Sequence, residues 1–361
     1  MKKYICFTLF AIAAFTAYCF SRTRTENLLL NSAAFPVSLT QPIYTDSMPE
    51  FAGTSAHAAC LIDAKSGAVL YSYNSDKRLP MASTTKIMTA LTVLETLDAK
   101  TEVSVPKEAC GVEGSSIYLY PQEKITVKNL LYGLMLESGN DAASALAYAC
   151  CGSEEKFAEL MNSKAHGLGL IDTHFTNPHG LPDENHYTTA YELALISAKA
   201  LENDDFKEIT STASYSCKVE GKNMSRFFSN HNRLLRSYNG CIGVKTGFTK
   251  TAGRCLVSAA ERDGRRYVAV TLGDGDDWKD HTSLLDFAFE NFGCAEIAPK
   301  DNFLIYCRGK AYKNPDAVYL TVEKGENPTL GYKIDFSGRI ADVSCFADGA
   351  EIGNFGLDCA A

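Results

Sequence analysis

The sequence predicts an α/β fold of the α+β kind: a five-stranded antiparallel sheet flanked by helices, followed by a small C-terminal all-β domain. Three observations predict it. Between Ala58 and Phe292, two strand-like runs, several helical patterns, three further strand-like runs and a last helix follow one another. The late strands are joined by links too short for a parallel crossover, so they must pair antiparallel. Past Gly293 the helical pattern stops, and short alternating runs separated by turn residues take over.

Composition narrows the function classes. The chain has 361 residues, 46% of them hydrophobic and 22% charged, which excludes collagen-like, coiled-coil and largely disordered chains. Thirty-five basic against 43 acidic residues leave a net charge of −8. No basic excess exists to hold a phosphate backbone, so no nucleic-acid partner is expected. Thirteen cysteines form no CxxC pair, which disfavours a zinc ribbon or a dithiol redox site. Cys6 and Cys19 lie in the N-terminal apolar run. The other eleven are an odd number, so at least one thiol stays free; most read as small buried hydrophobes, with a disulfide or two left open.

Each element has a local reason. Lys2 and Lys3 precede an apolar run from Tyr4 to Phe20, the pattern of an export signal. Residues 1–20 are either a cleaved signal peptide or a retained membrane anchor, since no clean cleavage site follows and the run is just long enough to span. Both readings place the remaining chain outside the cytoplasmic membrane. Residues 21–57, with Pro36, Pro42 and Pro49, read as a tether. Ala58–Ala64 and Ala68–Tyr73 are strands joined by a turn at Lys65-Ser66-Gly67. A helix follows Pro80, with Ile87, Leu91 and Leu94 on one face. Thr126 caps a helix over 127–136, a break at 137–140 follows, and an Ala-rich helix runs through Ala149. Helices are expected over 154–165 and 191–201, with a polar loop over 171–188. Cys241–Thr246, Arg254–Ala260 and Arg266–Leu272 are the late strands, and 280–292 is the closing helix. The main domain is expected to span 58–295 and the small β domain 296–361, with strands over 318–322, 330–336 and 340–346.

Three short elements carry chemistry. Ser83-Thr84-Thr85-Lys86 opens the helix after Pro80, and residues three apart on a helix share a face. A serine hydroxyl needs a base, and a lysine serves as one when burial or a nearby cation depresses its pKa. The first-turn N–H groups favour an oxyanion at that end. Ser138-Gly139-Asn140 sits in the break between two helices, where it can supply a hydroxyl for proton relay and an amide for substrate. Read alone, Gly139 and Asn140 are a helix terminator and an N-cap. Lys245-Thr246-Gly247 ends a strand that can align an extended peptide, with Lys245 offering positive charge to a carboxylate and Gly247 allowing close approach. S-x-x-K, S-x-N and K-T-G in this order, each on a fitting element, form the set of the penicillin-interacting serine enzymes.

The sequence resembles the low-molecular-mass penicillin-binding proteins, serine-type D-Ala-D-Ala carboxypeptidases of the S11 peptidase family. The stretches 79–86, 137–142, 177–181 (Asn-Pro-His-Gly-Leu) and 243–247 carry the likeness, which covers about 58–292. The resemblance implies a β-lactamase/transpeptidase-like domain and removal of the terminal D-Ala from peptidoglycan stem peptides. It implies Ser83 as the acyl-ester nucleophile, Lys86 as its base and Ser138 in proton transfer. It also implies substrate binding by Asn140, Lys245, Thr246 and Gly247, and an oxyanion hole from the N–H groups of Ser83 and Phe248. β-Lactams are the implied inhibitors. Family members often end in an amphipathic helix on the membrane. Glu351–Ala361, with Gly353, Gly356 and Asp358, lacks that pattern, so membrane attachment is expected of the N-terminal segment.

Rival readings share the residues. A D,D-endopeptidase would use the same machinery. A β-lactamase would need a deacylating glutamate, and residues 172–181 lack the E-x-x-L-N pattern. A non-catalytic cell-wall-binding relative would have lost a motif, and all three are intact. No H-E-x-x-H occurs, so no metal or other cofactor is expected; His174, His179 and His186 share one loop and read as structural.

Overall fold

The computed structural model describes residues 50–360 apart from 308, 327, 338 and 339. Residues 1–20, read as an export signal or anchor, and most of 21–57, read as a tether, lie outside the described residues. Strands β1 (Ala58–Asp63) and β2 (Val69–Tyr73) come first among the described residues. They join β7 (Cys241–Thr249), β8 (Gly253–Arg262) and β9 (Arg265–Leu272) in one sheet of order β2-β1-β9-β8-β7, with every pairing antiparallel. This is the expected five-stranded sheet. The chain leaves it at one edge and returns at the other, and the residues between form the helical insert.

The insert begins with a tight 3-10 turn, Ala82–Thr85, before helix α1 (Lys86–Thr96). An α-helix was expected from just after Pro80. Ala82 takes a left-handed φ of 48°, and the Thr84 and Thr85 hydroxyls donate back to the Met81 and Ala82 carbonyls, so the first turn winds tighter. Residues 86–93 of α1 are all buried, which makes it the hub of the domain. Burial of Ile87, Met88, Leu91 and Val93 contributes about 1.5–3 kcal/mol for each large apolar side chain.

Strands β3 (Glu102–Ser104) and β4 (Lys124–Thr126) pair across a loop. Thr126 caps α2 (Val127–Leu136) as expected, accepting from Asn129 N at 3.2 Å. α3 (Asn140–Cys151), α4 (Glu154–Gly167) and α5 (Ala190–Ala200) follow near their expected bounds. Among the elements that were not expected are β3 and β4, α6 (Asp204–Ser211) and the hairpin β5 (Ser214–Lys218) with β6 (Ser225–Ser229). The last helix, α7 (Asp277–Asn291), starts three residues earlier than the sequence suggests. Leu284, Leu285, Ala288 and Phe289 on it cover one face of the sheet, while α1 and its neighbours cover the other.

From Phe292 onward the described elements are strands. β10 (Phe292–Ala298) pairs with β13 (Val318–Glu323). β11 (Leu304–Cys307), β12 (Lys310–Lys313), β14 (Leu330–Ser337), β15 (Ile340–Ala347) and β16 (Ala350–Ala360) form a second five-stranded sheet around Val343, Phe355 and Leu357. The last strand occupies the stretch read as lacking an amphipathic helix. The two parts meet where Ser66 Oγ and Thr321 Oγ1 approach to 2.5 Å and Tyr267 OH donates to the Phe292 carbonyl. Cys60, Cys217, Cys255 and Cys345 are buried free thiols, in keeping with their reading as small buried hydrophobes.

Candidate active site

Three surfaces converge on Ser83. The 3-10 turn presents it, the 138–140 corner lies beside α1, and β7 runs alongside. Lys86 Nζ stands 3.0 Å from Ser83 Oγ. It also donates to Asn140 Oδ1 at 2.7 Å and to the His179 carbonyl at 2.6 Å. Lys86 is fully buried. Burial first, then the Lys245 charge, push its pKa well below the ordinary lysine value, with Asp141 opposing. Lys245 is buried too, which lowers its own pKa to about 7, and its ammonium donates to the Thr246 carbonyl at 2.8 Å.

The corner between α2 and α3 differs from its capping interpretation. Gly139, not Asn140, is the N-cap, and Asn140 is the first helical residue. Its side chain is drawn away from the helix end: Oδ1 accepts a hydrogen bond from Lys86 Nζ and Nδ2 donates to the Glu113 carbonyl at 2.5 Å. Ser138 is 5% exposed and holds a left-handed φ of 61°, a strained conformation for a residue with a Cβ. Asp141 pins the facing loop by accepting from the N–H groups of Ile117 and Leu119, both at 3.0 Å, and from Ser116 Oγ.

β7 approaches the nucleophile closely. A Cβ on Gly247 would lie 3.0 Å from Ser83 N, so glycine at this position permits the strand to pack against the 3-10 turn. Thr246 is half-buried, and Phe248, just past Gly247, is 67% exposed. The structure thus links Lys86 to Ser83 and Asn140 by hydrogen bonds and sets Gly247 against Ser83 N; Ser138 precedes Asn140 at the corner, and Lys245, Thr246 and Phe248 flank Gly247 on β7.

It also adds residues the sequence reading left without a role. The 177–181 loop packs beneath the turn: Asn177 Oδ1 accepts from Gly180 N at 2.7 Å, and a Cβ on Gly180 would come 2.0 Å from the Ala82 carbonyl oxygen. The stretch was visible as a likeness, but nothing local marked it as a support for residue 82. His231 lies 3.5 Å from Glu137, and burial followed by the Lys245 charge lowers its pKa. The three loop histidines each have their own partner: His174 the Asn185 carbonyl, His179 the Glu154 carboxylate, His186 the Thr85 hydroxyl. Among the described residues no group of three or more His, Cys, Asp or Glu is arranged to hold a metal, and no helix is long and apolar enough to cross a membrane.

The arrangement is that of a serine hydroxyl with a buried lysine amine of lowered pKa in hydrogen-bond reach at a 3-10 turn. Known proteins match it. Residues 45–276 match the D-alanyl-D-alanine carboxypeptidase family. The D-alanyl-D-alanine carboxypeptidase DacF of Bacillus subtilis is 40% identical over 246 residues, 66% of this chain and 63% of that protein. The chain thus spans less than two thirds of that relative's length. A D-alanyl-D-alanine carboxypeptidase of Streptomyces is 40% identical over 57% of this chain and 76% of its own length. Among solved structures, the Streptomyces K15 DD-transpeptidase superposes with a TM-score of 0.63 at 33% identity, over 67% of this chain and 99% of that one. Penicillin binding protein 5 of Haemophilus influenzae superposes with a TM-score of 0.73 at 27% identity, over 86% of this chain and 97% of that one. By the extent of these matches, the chain belongs to the D-alanyl-D-alanine carboxypeptidase family, the S11 peptidases.

Proposed function

We propose that the protein is a serine D-alanyl-D-alanine carboxypeptidase that removes the terminal D-alanine of peptidoglycan stem peptides. The observation that carries this reading is the buried Lys86 amine, 3.0 Å from Ser83 Oγ and shifted toward its neutral form. A neutral amine is a base, and a hydroxyl within hydrogen-bond reach of one is an activated nucleophile.

The steps follow from that pair. Ser83 Oγ attacks the carbonyl carbon of the penultimate D-alanine while its proton passes to Lys86 Nζ. The N–H groups of Ser83 and Phe248 receive the oxyanion. The C–N bond breaks, and a proton from Lys86, relayed by the Ser138 hydroxyl, goes to the departing D-alanine nitrogen. Water then cleaves the Ser83 ester and restores the hydroxyl. Asn140, Thr246 and Gly247 hold the extended peptide, and Lys245 in its charged form attracts the terminal carboxylate. β-Lactams acylate Ser83 because their strained amide takes the place of the D-Ala-D-Ala bond. Such a substrate lies outside the cytoplasm, in keeping with an N-terminal export or anchor segment. The catalytic unit is 58–295, and 296–361 is a separate β domain.

Mass spectrometry after brief exposure to benzylpenicillin tests this. The full chain is expected to gain the mass of the drug on Ser83, and Ser83→Ala is expected to gain none and to release no D-alanine. Turnover by Ser83→Ala would overturn the assignment.

A further inference from the structure

His186 is 3% exposed, sits in the 171–188 loop, and has no part in the chemistry above. Its Nδ1 lies 3.0 Å from Thr176 N. A backbone N–H can only donate, so Nδ1 accepts and the proton of the neutral ring resides on Nε2. Nε2 is 2.7 Å from Thr85 Oγ1 and therefore donates to it. Thr85 Oγ1, having accepted there, directs its own proton to the Ala82 carbonyl at 2.8 Å. Burial, the largest influence, lowers the His186 pKa to about 3, in keeping with a ring that stays neutral. The edge of the ring arrangement is set by Phe175, whose centroid lies 5.8 Å away at 76°. The result is a directed chain of hydrogen bonds from the Thr176 N–H through His186 and Thr85 to Ala82.

The Ala82 carbonyl and the Ser83 N–H belong to the same peptide unit. That unit is planar, so whatever fixes the direction of the carbonyl fixes the direction of the N–H. Ala82 needs such a hold, because its φ of 48° is a conformation an alanine seldom adopts unaided. Gly180 also packs closely against this oxygen: a Cβ there would lie 2.0 Å from it. We infer that His186 is a positioning residue: acting through Thr85, it locks the Ala82–Ser83 peptide plane and aims the Ser83 N–H at the oxyanion. The inference rests on the proposed role of Ser83 and its N–H.

The test compares His186→Phe, His186→Gln and Thr85→Val in the full chain, with Ser83→Ala as the control. Phenylalanine keeps a ring and loses both hydrogen bonds. Glutamine can accept from Thr176 and donate to Thr85. His186→Phe is expected to slow benzylpenicillin acylation roughly 100-fold, as loss of an oxyanion donor does, with the non-covalent binding step little changed. A boronic acid, whose tetrahedral adduct places an oxygen at the oxyanion position, should lose affinity by a similar factor. His186→Gln should recover most of both losses. Thr85→Val should resemble His186→Phe, and the double variant should be no worse than either, because the two act in one chain. Acylation of His186→Phe at nearly the wild-type rate would overturn the inference. So would a folded His186→Gln as slow as His186→Phe, or additive losses in the double variant. Acylation of Ser83→Ala would instead remove the reading on which the inference stands.

Discussion

The Asn140 side-chain oxygen accepts a 2.7 Å hydrogen bond from Lys86 Nζ, while the Asn140 amide nitrogen donates to the Glu113 carbonyl. One amide thus ties the candidate base to the loop across the cleft, and it does so 54 residues along the chain from Lys86.

That bond predicts two distinguishable variants. Asn140→Leu removes an acceptor from Lys86 and leaves a carbonyl without its donor, at a cost of about 1–3 kcal/mol. Expressed in the acylation rate, that corresponds to roughly a tenfold to hundredfold loss. Asn140→Asp places a carboxylate beside Lys86, which favours the charged ammonium and raises its pKa. The rise of acylation rate with pH should therefore move to higher pH. Stopped-flow acylation by a chromogenic cephalosporin across pH checks both.

Lys245 predicts a falling limb. Lys86 acts as a base when neutral, so acylation rises as pH climbs through its depressed pKa. Lys245 binds a carboxylate when charged, and its pKa near 7 means that this help fades above neutrality. Carboxypeptidase substrates with a free terminal carboxylate should show the falling limb, and amidated analogues should not. The same shift has a stability consequence. Lys245 is depressed from 10.5 to about 7 on folding, so between those pH values the unfolded chain holds the extra proton. Unfolding free energy then rises with pH across that window, and the cost of burying the charge is felt in full below it. Denaturant titrations of wild type and Lys245→Met at pH 6 and pH 9 would show the difference shrinking as pH rises.

Gly180→Ala is expected to be severe. The φ of 88° costs a β-carbon about 1–3 kcal/mol by itself. The new methyl would also sit 2.0 Å from the Ala82 oxygen, so the loop or the 3-10 turn must move. A fall in melting temperature and a slower acylation should appear together. Gly169→Ala, also at positive φ but with open space around it, should lose stability alone.

Arg226 predicts how the β5–β6 hairpin is held. Its guanidinium pairs with Glu123, which is 2% exposed, and donates to the Ile117 and Tyr118 carbonyls at 2.8 and 2.9 Å. Arg226→Ala leaves a buried carboxylate unpaired, at a cost of about 3–5 kcal/mol. Arg226→Ala with Glu123→Gln should recover part of that loss. Chemical denaturation of the two variants measures it.

Much of the fold was legible. The turn residues 65–67 and 262–264 and the apolar runs around them marked four strands of the central sheet, because short links leave antiparallel pairing as the geometric solution. Thr126 announced its helix because capping is a local interaction. α6 was legible in principle: Asn203 caps it, Asp204 and Asp205 fill its first turn, and Phe206 and Ile209 are its buried face. The β5–β6 hairpin was not, since most of its residues are exposed or half-exposed and show no clean alternation. Its attachment depends on Arg226 reaching a loop more than a hundred residues away.

The sequence by itself determined the antiparallel core, the three motifs and their assignment to a helix start, an interhelical break and a strand. Those depend on short-range periodicity and on residue types at fixed spacing. The tertiary structure alone decided that Lys86 is buried against Asn140 and the His179 carbonyl and that Lys245 lies close enough to depress it. It likewise decided that His186 reaches the turn through Thr85. The physical reason is that pKa shifts and hydrogen-bond direction depend on burial and on neighbours brought from 54 to 159 residues away, distances over which residue spacing carries no geometric information.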